Sequence, residues 1–575
     1  MKKLFLFCLL LSLLDFSANA QSPAKYWVQF KDKAHSAYSI AHPEEFLSQR
    51  ALDRRARLNV AVDETDLPVS QYYIDKLKDV DEHAVVLTKS KWLNGVTVYA
   101  EREDALQAFK ALPFVTDCQK TSVMKDVLAK EDSIKDYCAN AYNFGGEEQH
   151  DIISNNDLDY GLATAQVRCN NAHWLHRLGF KGQGVYLTVM DGGFDKADSL
   201  RFYQVLRDEN RLLGVRNFVQ PGGCVFTDDT HGEMVLSCIA SYVPGEIIGT
   251  APMVSIYLAK TEDGRTEYFI EEDNWAAGCE WADSLGCDVL SASLGYFIFD
   301  DSNMVRKYSD LTGRVSRASR VATMAVKKGL LVVNSAGNAG MRKDWSKIGF
   351  PAEAYDILAV GAVDIHGKRT PFSSKGPAVG GRIKPDVCAV GGKTYIGDVK
   401  GKVRPSNGTS FAAPLMAGMV VCLRQAFPEK SSYDILNAVR FSGSQASAPD
   451  TLMGYGIPDM LKAYNLLQND QTSQNQDDLH LFKVDFDSYV STDPKDFPVK
   501  VINLGKREKK LTITVTSRNT GKHIKKSFAL ADGENVLHLK MPVLEKDKKY
   551  DILDVAVDGA VYHYKYVIGQ ELQNK

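Results

Sequence analysis

Between about residues 162 and 467, short apolar runs alternate with helical patterns, and no other feature of the sequence narrows the fold as much. The runs at 185–190, 255–259, 289–293, 331–335 and 358–363 are close to continuously apolar, as strands buried on both faces must be. Helices are predicted between them at 270–285 and 316–328. This order predicts an α/β fold with a doubly wound, mostly parallel sheet, whose functional groups gather beyond the carboxyl ends of the strands.

At 575 residues the chain exceeds one compact core, and the sequence divides accordingly. Lys2 and Lys3, the apolar run 4–14 and Ala18-Asn19-Ala20 predict a signal peptide over 1–20, cleaved before Gln21. That run is shorter than the about 20 residues of a membrane-spanning helix, and no transmembrane segment is expected. Residues 21–125 read as a small α+β module, with strands at 26–30, 93–99 and 115–120 and a helix at 102–111. A charged, irregular segment, 126–158, separates it from the main domain at 159–467. The polar tract 468–478 reads as a linker. The alternating runs 511–515, 536–541 and 561–567 then predict a β-sandwich-like domain over 479–575.

Net charge is −3, without the clustered excess of Lys and Arg that nucleic acid requires. Of ten cysteines, Cys8 leaves with the signal, and the remaining odd number cannot all pair. Cys279 and Cys287, placed on one helix, stand roughly 12 Å apart, beyond disulfide reach. The cysteines of 159–467 read mostly as small buried hydrophobes. No C-x-x-C pair or His-rich cluster predicts a zinc site.

Four segments carry chemistry. Asn407-Gly408-Thr409-Ser410-Phe411-Ala412-Ala413-Pro414 opens a helix near Ser410, where free N–H groups favour an anion. Pro414 is expected in its first turn, where a missing N–H costs little. Asp191 closes the strand Val189-Met190-Asp191, and His231 begins His231-Gly232-Glu233-Met234-Val235, with Asp229 or Thr230 available as N-cap. Asn338 follows a buried strand within Asn334-Ser335-Ala336-Gly337-Asn338-Ala339-Gly340. Taken singly, Ser410 is a helix cap and Asn338 a turn residue. Together they meet the needs of acyl transfer: a serine needs an imidazole to take its proton, the imidazole a carboxylate to fix its tautomer, and the oxyanion a donor.

These segments, in the order Asp, His, Ser, resemble the subtilase family, whose nucleophile segment Gly-Thr-Ser-Phe-Ala-Ala-Pro is matched throughout. The resemblance implies a serine endopeptidase with Asp191, His231 and Ser410 as triad. It implies that Asn338 and the Ser410 N–H form the oxyanion hole, and that Ser293, Leu294 and Gly295 pair with extended substrate backbone. Further similar segments are 249–252, 372–376, 384–387 and 454–456. The side-chain pocket is expected near Leu294, Gly295 and 339–341. Substrates are proteins or peptides, and no cofactor is required. Structural calcium, common in the family, has no assignable site, since Asp195 and Asp198 read equally well as surface carboxylates. Residues 26–31, 94–98 and 108–113 resemble the family's inhibitor-like propeptide, which implies an intramolecular inhibitor cut off between Lys120 and Asp159. The expected location is secreted or extracytoplasmic. The C-terminal domain reads as a binding or stability module, or as one that engages export machinery or a cell surface.

Two departures stand out: Gly192 replaces a Ser or Thr that could orient the aspartate, and Glu233-Met234 replaces a Thr-His pair. The rival reading is a catalytically inactive subtilisin-like binding or adhesion protein, because a fold does not fix a function. The complete set of triad residues argues against it.

Overall fold

The computed structural model describes residues 23–123 and 158–470, with 482–485, 496–503, 509–517, 519–530, 533–540, 550–557 and 560–567 in the C-terminal region. The expected signal peptide, the processing segment apart from Leu158, and most of the linker lie outside the described residues.

The central sheet is built from β1 (Tyr186–Asp191), β2 (Leu212–Asn217), β3 (Ser255–Lys260), β4 (Val289–Ala292), β5 (Leu331–Ser335), β6 (Leu358–Val363) and β7 (Val387–Val390). Its order is β7-β6-β5-β4-β1-β3-β2, with every neighbouring pair parallel. The chain extends the sheet one way from β1 and then returns to extend it the other way, so the β1/β4 pair is the switch point where α/β folds open a cleft. Strands β4, β5 and β6 are buried along their whole length, which is why they stand out as apolar runs. The edge strand β2 is only part-buried and β7 has four residues, and neither left a legible pattern.

Helices α1 (His231–Ala240), α2 (Ile270–Ser284), α3 (Arg317–Lys327) and α4 (Thr409–Ala426) flank the sheet. Residues 409–424 of α4 are all buried, as an all-round apolar helix requires. Gly418 is needed there, because a Cβ would lie 2.1 Å from Thr250 Oγ1. Since α2 ends at Ser284, Cys287 is not helical as the sequence reading had it; both it and Cys279 are buried free thiols. Among the described residues no disulfide forms, and Cys224 alone of the eight described cysteines is exposed.

The N-terminal unit is an antiparallel sheet in the order Val85–Ser90, Gly95–Ala100, Ala24–Phe30, Val115–Ser122. Helices Gln71–Lys78 and Ala105–Lys110 close a core of Tyr26, Val28, Phe30, Ile74, Leu77 and Phe109. A third helix, Gln49–Arg57, was not legible because its sequence, QRALDRRAR, is mostly charged. Two of its arginines, Arg54 and Arg55, are nonetheless buried against the main domain. Arg54 Nη2 lies 2.5 Å from Asp283 Oδ1 at the end of α2, and Arg54 Nη1 donates to Cys287 O. Arg55 bridges Asp283 Oδ2 at 2.8 Å and Asp66 at 2.7 and 2.9 Å. Lys91 reaches Asp283 at 3.1 Å, and Lys328 of the main domain reaches Asp66 at 2.8 Å. Burial opposes ionisation of Asp283, but Lys91, Arg54 and Arg55 outweigh it and hold the carboxyl far below its usual range.

In the C-terminal region, Phe482–Asp485, Asp496–Asn503 and Gly533–Lys540 form one antiparallel sheet. Lys509–Ser517, His523–Leu530, Tyr550–Val557 and Ala560–Val567 form a second. Leu511, Ile513 and Val515 are buried while Thr512, Thr514 and Thr516 are not, the alternation of a sheet with one covered face. The helix Met460–Asp470 runs into the tract read as linker, which therefore starts later than residue 468.

Candidate active site

Asp191 is the last residue of β1, His231 the first of α1 and Ser410 the second of α4, a helix packed against α1. His231 Nδ1 lies 2.8 Å from Asp191 Oδ1. Because an ionised carboxylate only accepts, Nδ1 carries the proton of the neutral ring and Nε2 is left as a base. Burial disfavours the charged imidazole, but the Asp191 carboxylate, aided by Asp229, raises its pKa to about 9.

Asp191 Oδ1 also accepts the Gly192 N–H at 2.8 Å, whereas the buried Oδ2 has no partner among the described residues. The departure at residue 192 has a steric cause: a Cβ there would lie 2.6 Å from Asp229 Oδ2. Asp229 therefore occupies the space a hydroxyl-bearing side chain needs. Its Oδ1 caps α1 by accepting the His231 N–H at 2.8 Å, while Thr230 makes no cap bond. At the other departure, Glu233 is buried and accepts the Tyr203 hydroxyl at 2.8 Å. Burial lifts its carboxyl to about 8.

Ser410 is 8% exposed and its hydroxyl is not hydrogen-bonded to His231 in this structure. The ring of the following residue, Phe411, stands 6.1 Å from the imidazole. Asn338 is exposed, and its amide is oriented by Thr409, whose N–H and hydroxyl approach Oδ1 at 2.9 and 3.0 Å. A backbone N–H can only donate, so the atom facing it is the oxygen, and Nδ2 is turned outward as a free donor. The Thr409 hydroxyl accepts from the Gly337 N–H at 3.1 Å, which locks the loop to the start of α4. Sequence reasoning quoted Thr409 within its motif without seeing this role.

Pro414 is the sixth residue of α4, beyond the first turn where the sequence placed it. Its missing N–H leaves the Ser410 carbonyl without a helical donor. The Ser293 hydroxyl takes that place, donating to Ser410 O at 2.8 Å. Ser293 thus ties the end of β4 to α4, while Leu294 O accepts from Asn334 Nδ2 at 3.0 Å. Gly295 is exposed. In the expected side-chain pocket Ala339 is buried, whereas Met341 is 70% exposed.

Among the described residues no group of three His, Cys, Asp or Glu side chains is arranged to hold a metal ion, and no helix is long and apolar enough to cross a membrane.

Residues 182–456 match the model of the subtilase family, and residues 25–136 match that of the Peptidase S8 propeptide domain of Bacteroidota. Residues 182–456 form a subtilase domain. It is similar to Subtilisin E of Bacillus subtilis (strain 168), 30% identical over 276 residues, covering 47% of this chain and 62% of that protein. To Subtilisin DY of Bacillus licheniformis it is 27% identical over 277 residues, covering 48% of this chain and 88% of that protein. MycP1 with its N-terminal propeptide removed aligns over 52% of this chain and 96% of its own, with 21% identity and a TM-score of 0.41. The chain thus spans less than two thirds of Subtilisin E. The span matched to the family contains Asp191, His231, Asn338 and Ser410, and the N-terminal unit is its propeptide domain. The C-terminal strands lie beyond both matches.

Proposed function

We propose that this protein is a secreted serine endopeptidase, made as a precursor that its propeptide domain inhibits, and that Asp191, His231 and Ser410 carry the reaction. The observation that carries the reading is the ordered pair at the end of β1 and start of α1: His231 Nδ1 at 2.8 Å from Asp191 Oδ1. It fixes the tautomer that leaves Nε2 free to receive the Ser410 proton. The Ser410 oxygen attacks the substrate carbonyl and the oxyanion forms against Asn338 Nδ2 and the Ser410 N–H. Those donors are preorganised because Thr409 holds the amide oxygen and the first-turn N–H has no helical acceptor. His231, now protonated, passes its proton to the leaving amine, and water repeats the cycle on the acyl-enzyme. Extended substrate backbone lies along Ser293, Leu294 and Gly295.

Retention of the propeptide domain is supported by the buried ion network of Arg54, Arg55, Asp66, Asp283 and Lys328. The signal segment at 1–20 directs the chain out of the cytoplasm, and the C-terminal β region serves as a binding or stability domain.

Replacing Ser410 with Ala tests the reading. The variant accumulates as unprocessed precursor and loses labelling by a serine-directed fluorophosphonate. Normal processing with full labelling of the variant defeats the assignment.

A further inference from the structure

The cleft beside Ser293, Leu294 and Gly295 opens into a groove of about 410 Å³ whose other walls are strongly acidic. Glu271, at the start of α2, lies on its floor and is 2% exposed. Its Oε1 accepts only the long Asp263 N–H contact of 3.3 Å, and its Oε2 has no hydrogen-bond partner. A buried carboxylate oxygen left bare is costly unless a ligand supplies the missing donor.

The walls add further carboxyl groups. Glu262 is held upright by the Tyr296 hydroxyl at 2.6 Å, and Glu267 faces Asp300, whose Oδ2 accepts the Glu267 N–H at 2.9 Å. Among the described residues no Lys or Arg nitrogen pairs with Glu262, Glu267 or Glu271. Arg265, at the mouth, is 67% exposed and turned to Asp263 at 2.7 Å. Burial first, and then repulsion from Asp300 and Glu272, lifts Glu267 to about 8; burial first, and then repulsion from Glu262 and Glu267, lifts Glu271 to about 12. A cation beside these carboxyl groups favours their ionised form.

Successive side chains of an extended substrate point to opposite sides of its backbone. One of those flanking Ser293–Gly295 must therefore fall on the groove side. The groove, about 410 Å³ in volume, is lined by Leu294 and Tyr296 on one side and by the Glu271 carboxyl at its floor.

We infer that this groove is a side-chain subsite for a basic residue, Arg or Lys, of the substrate segment that runs along Ser293, Leu294 and Gly295. The inference rests on the peptidase reading above. Arginine suits the floor best, because its planar fork can donate to Glu271 Oε2 and a wall carboxylate at once.

The test is a quenched-fluorescence peptide library in which each position in turn is Arg, Lys, Gln or norleucine, cleaved by the full-length protein after it has processed itself. At one position, Arg or Lys raises kcat/KM about tenfold or more over Gln and norleucine, the value of a desolvated hydrogen bond to a charged group. Glu271→Gln, nearly identical in shape, brings that ratio below about twofold. Glu267→Gln, on the half-buried wall, lowers it by a smaller factor and serves as the second variant if Glu271→Gln fails to fold. The ratio compares two substrates on one enzyme sample, so it is independent of how much of the protein is active. Cleavage of neutral peptides with no basic preference at any position overturns this inference alone, as does a preference that survives both substitutions. Failure to cleave any peptide overturns the peptidase reading and this one with it.

Discussion

Arg54 offers a test of how the propeptide domain is held, because changing it leaves the mature enzyme chemically identical. Its guanidinium is 1% exposed, lies 2.5 Å from Asp283, and also donates to Cys287 O. Truncating one partner of a buried, hydrogen-bonded charge pair across an interface costs about 2–5 kcal/mol and acts mainly on dissociation. At about 1.4 kcal/mol per decade, Arg54→Ala weakens the complex by roughly 30-fold to a few thousand-fold. Asp283 keeps Arg55 and Lys91, which argues for the lower half of that range. The helix itself is not harmed, since Ala is the best helix former. The assay follows fluorogenic peptide hydrolysis during precursor maturation: wild-type protein shows a lag between chain cleavage and activity, and the variant shortens it. Arg102→Ala is the control, since Arg102 is exposed and paired within the same domain to Asp104. A lag that Arg54→Ala leaves at the wild-type length refutes the idea that this buried network holds the inhibitor in place.

Asn338→Ala lowers kcat by about 10²–10³ with KM nearly unchanged, a magnitude whose reference case is itself a subtilisin. Steady-state kinetics on active-site-titrated enzyme decide it, and a KM-dominated loss counts against the oxyanion role. Thr409→Val removes the hydroxyl that reaches Asn338 Oδ1 at 3.0 Å but keeps the N–H, so a milder, kcat-directed loss of about tenfold is expected. Since the base must be neutral, kcat/KM rises with pH up to about 9, the pKa to which Asp191 and Asp229 lift His231. The accompanying stability is fully present below the unfolded-state value of about 6.5 and is lost as pH rises through about 9. Asp229→Asn removes one of the raising charges, so the acid limb of the kcat/KM profile moves to lower pH; an unmoved limb excludes Asp229 from the imidazole's field. Gly192→Ser places its Cβ 2.6 Å from Asp229 Oδ2 and lowers activity, and pairing it with Asp229→Gly recovers part of the loss. Recovery is read as kcat/KM of the double variant against each single one.

Legibility in the sequence followed burial. Strands β4, β5 and β6 are covered on both faces, so their residues answer to one solvent and appear as apolar runs. Strand β2 at the sheet edge and the arginine-rich helix Gln49–Arg57 answer partly to water or to ion pairs, and no periodicity betrays them. The motifs around Asp191, His231, Asn338 and Ser410 were readable because each is a local geometry, a strand end or a helix start, written in consecutive residues. What the sequence determined by itself was therefore the parts: which residue types stand at which ends of which elements.

Their assembly belonged to the tertiary structure. The bond from Asp191 to His231 joins residues 40 apart, and the one from Thr409 to Asn338 residues 71 apart. Ser293 reaches Ser410 O across 117 residues because Pro414 has removed the helical donor. The acidic groove gathers Glu262, Glu267 and Glu271 from one segment and Asp300 from another, each of which looks like ordinary solvated surface when read singly. Asp229 blocks residue 192 only because β1 and the turn before α1 meet in space. A side chain's neighbours along the chain set its conformation, but the desolvation and partners that set its charge and reactivity come from elements brought beside it by the closing of the sheet.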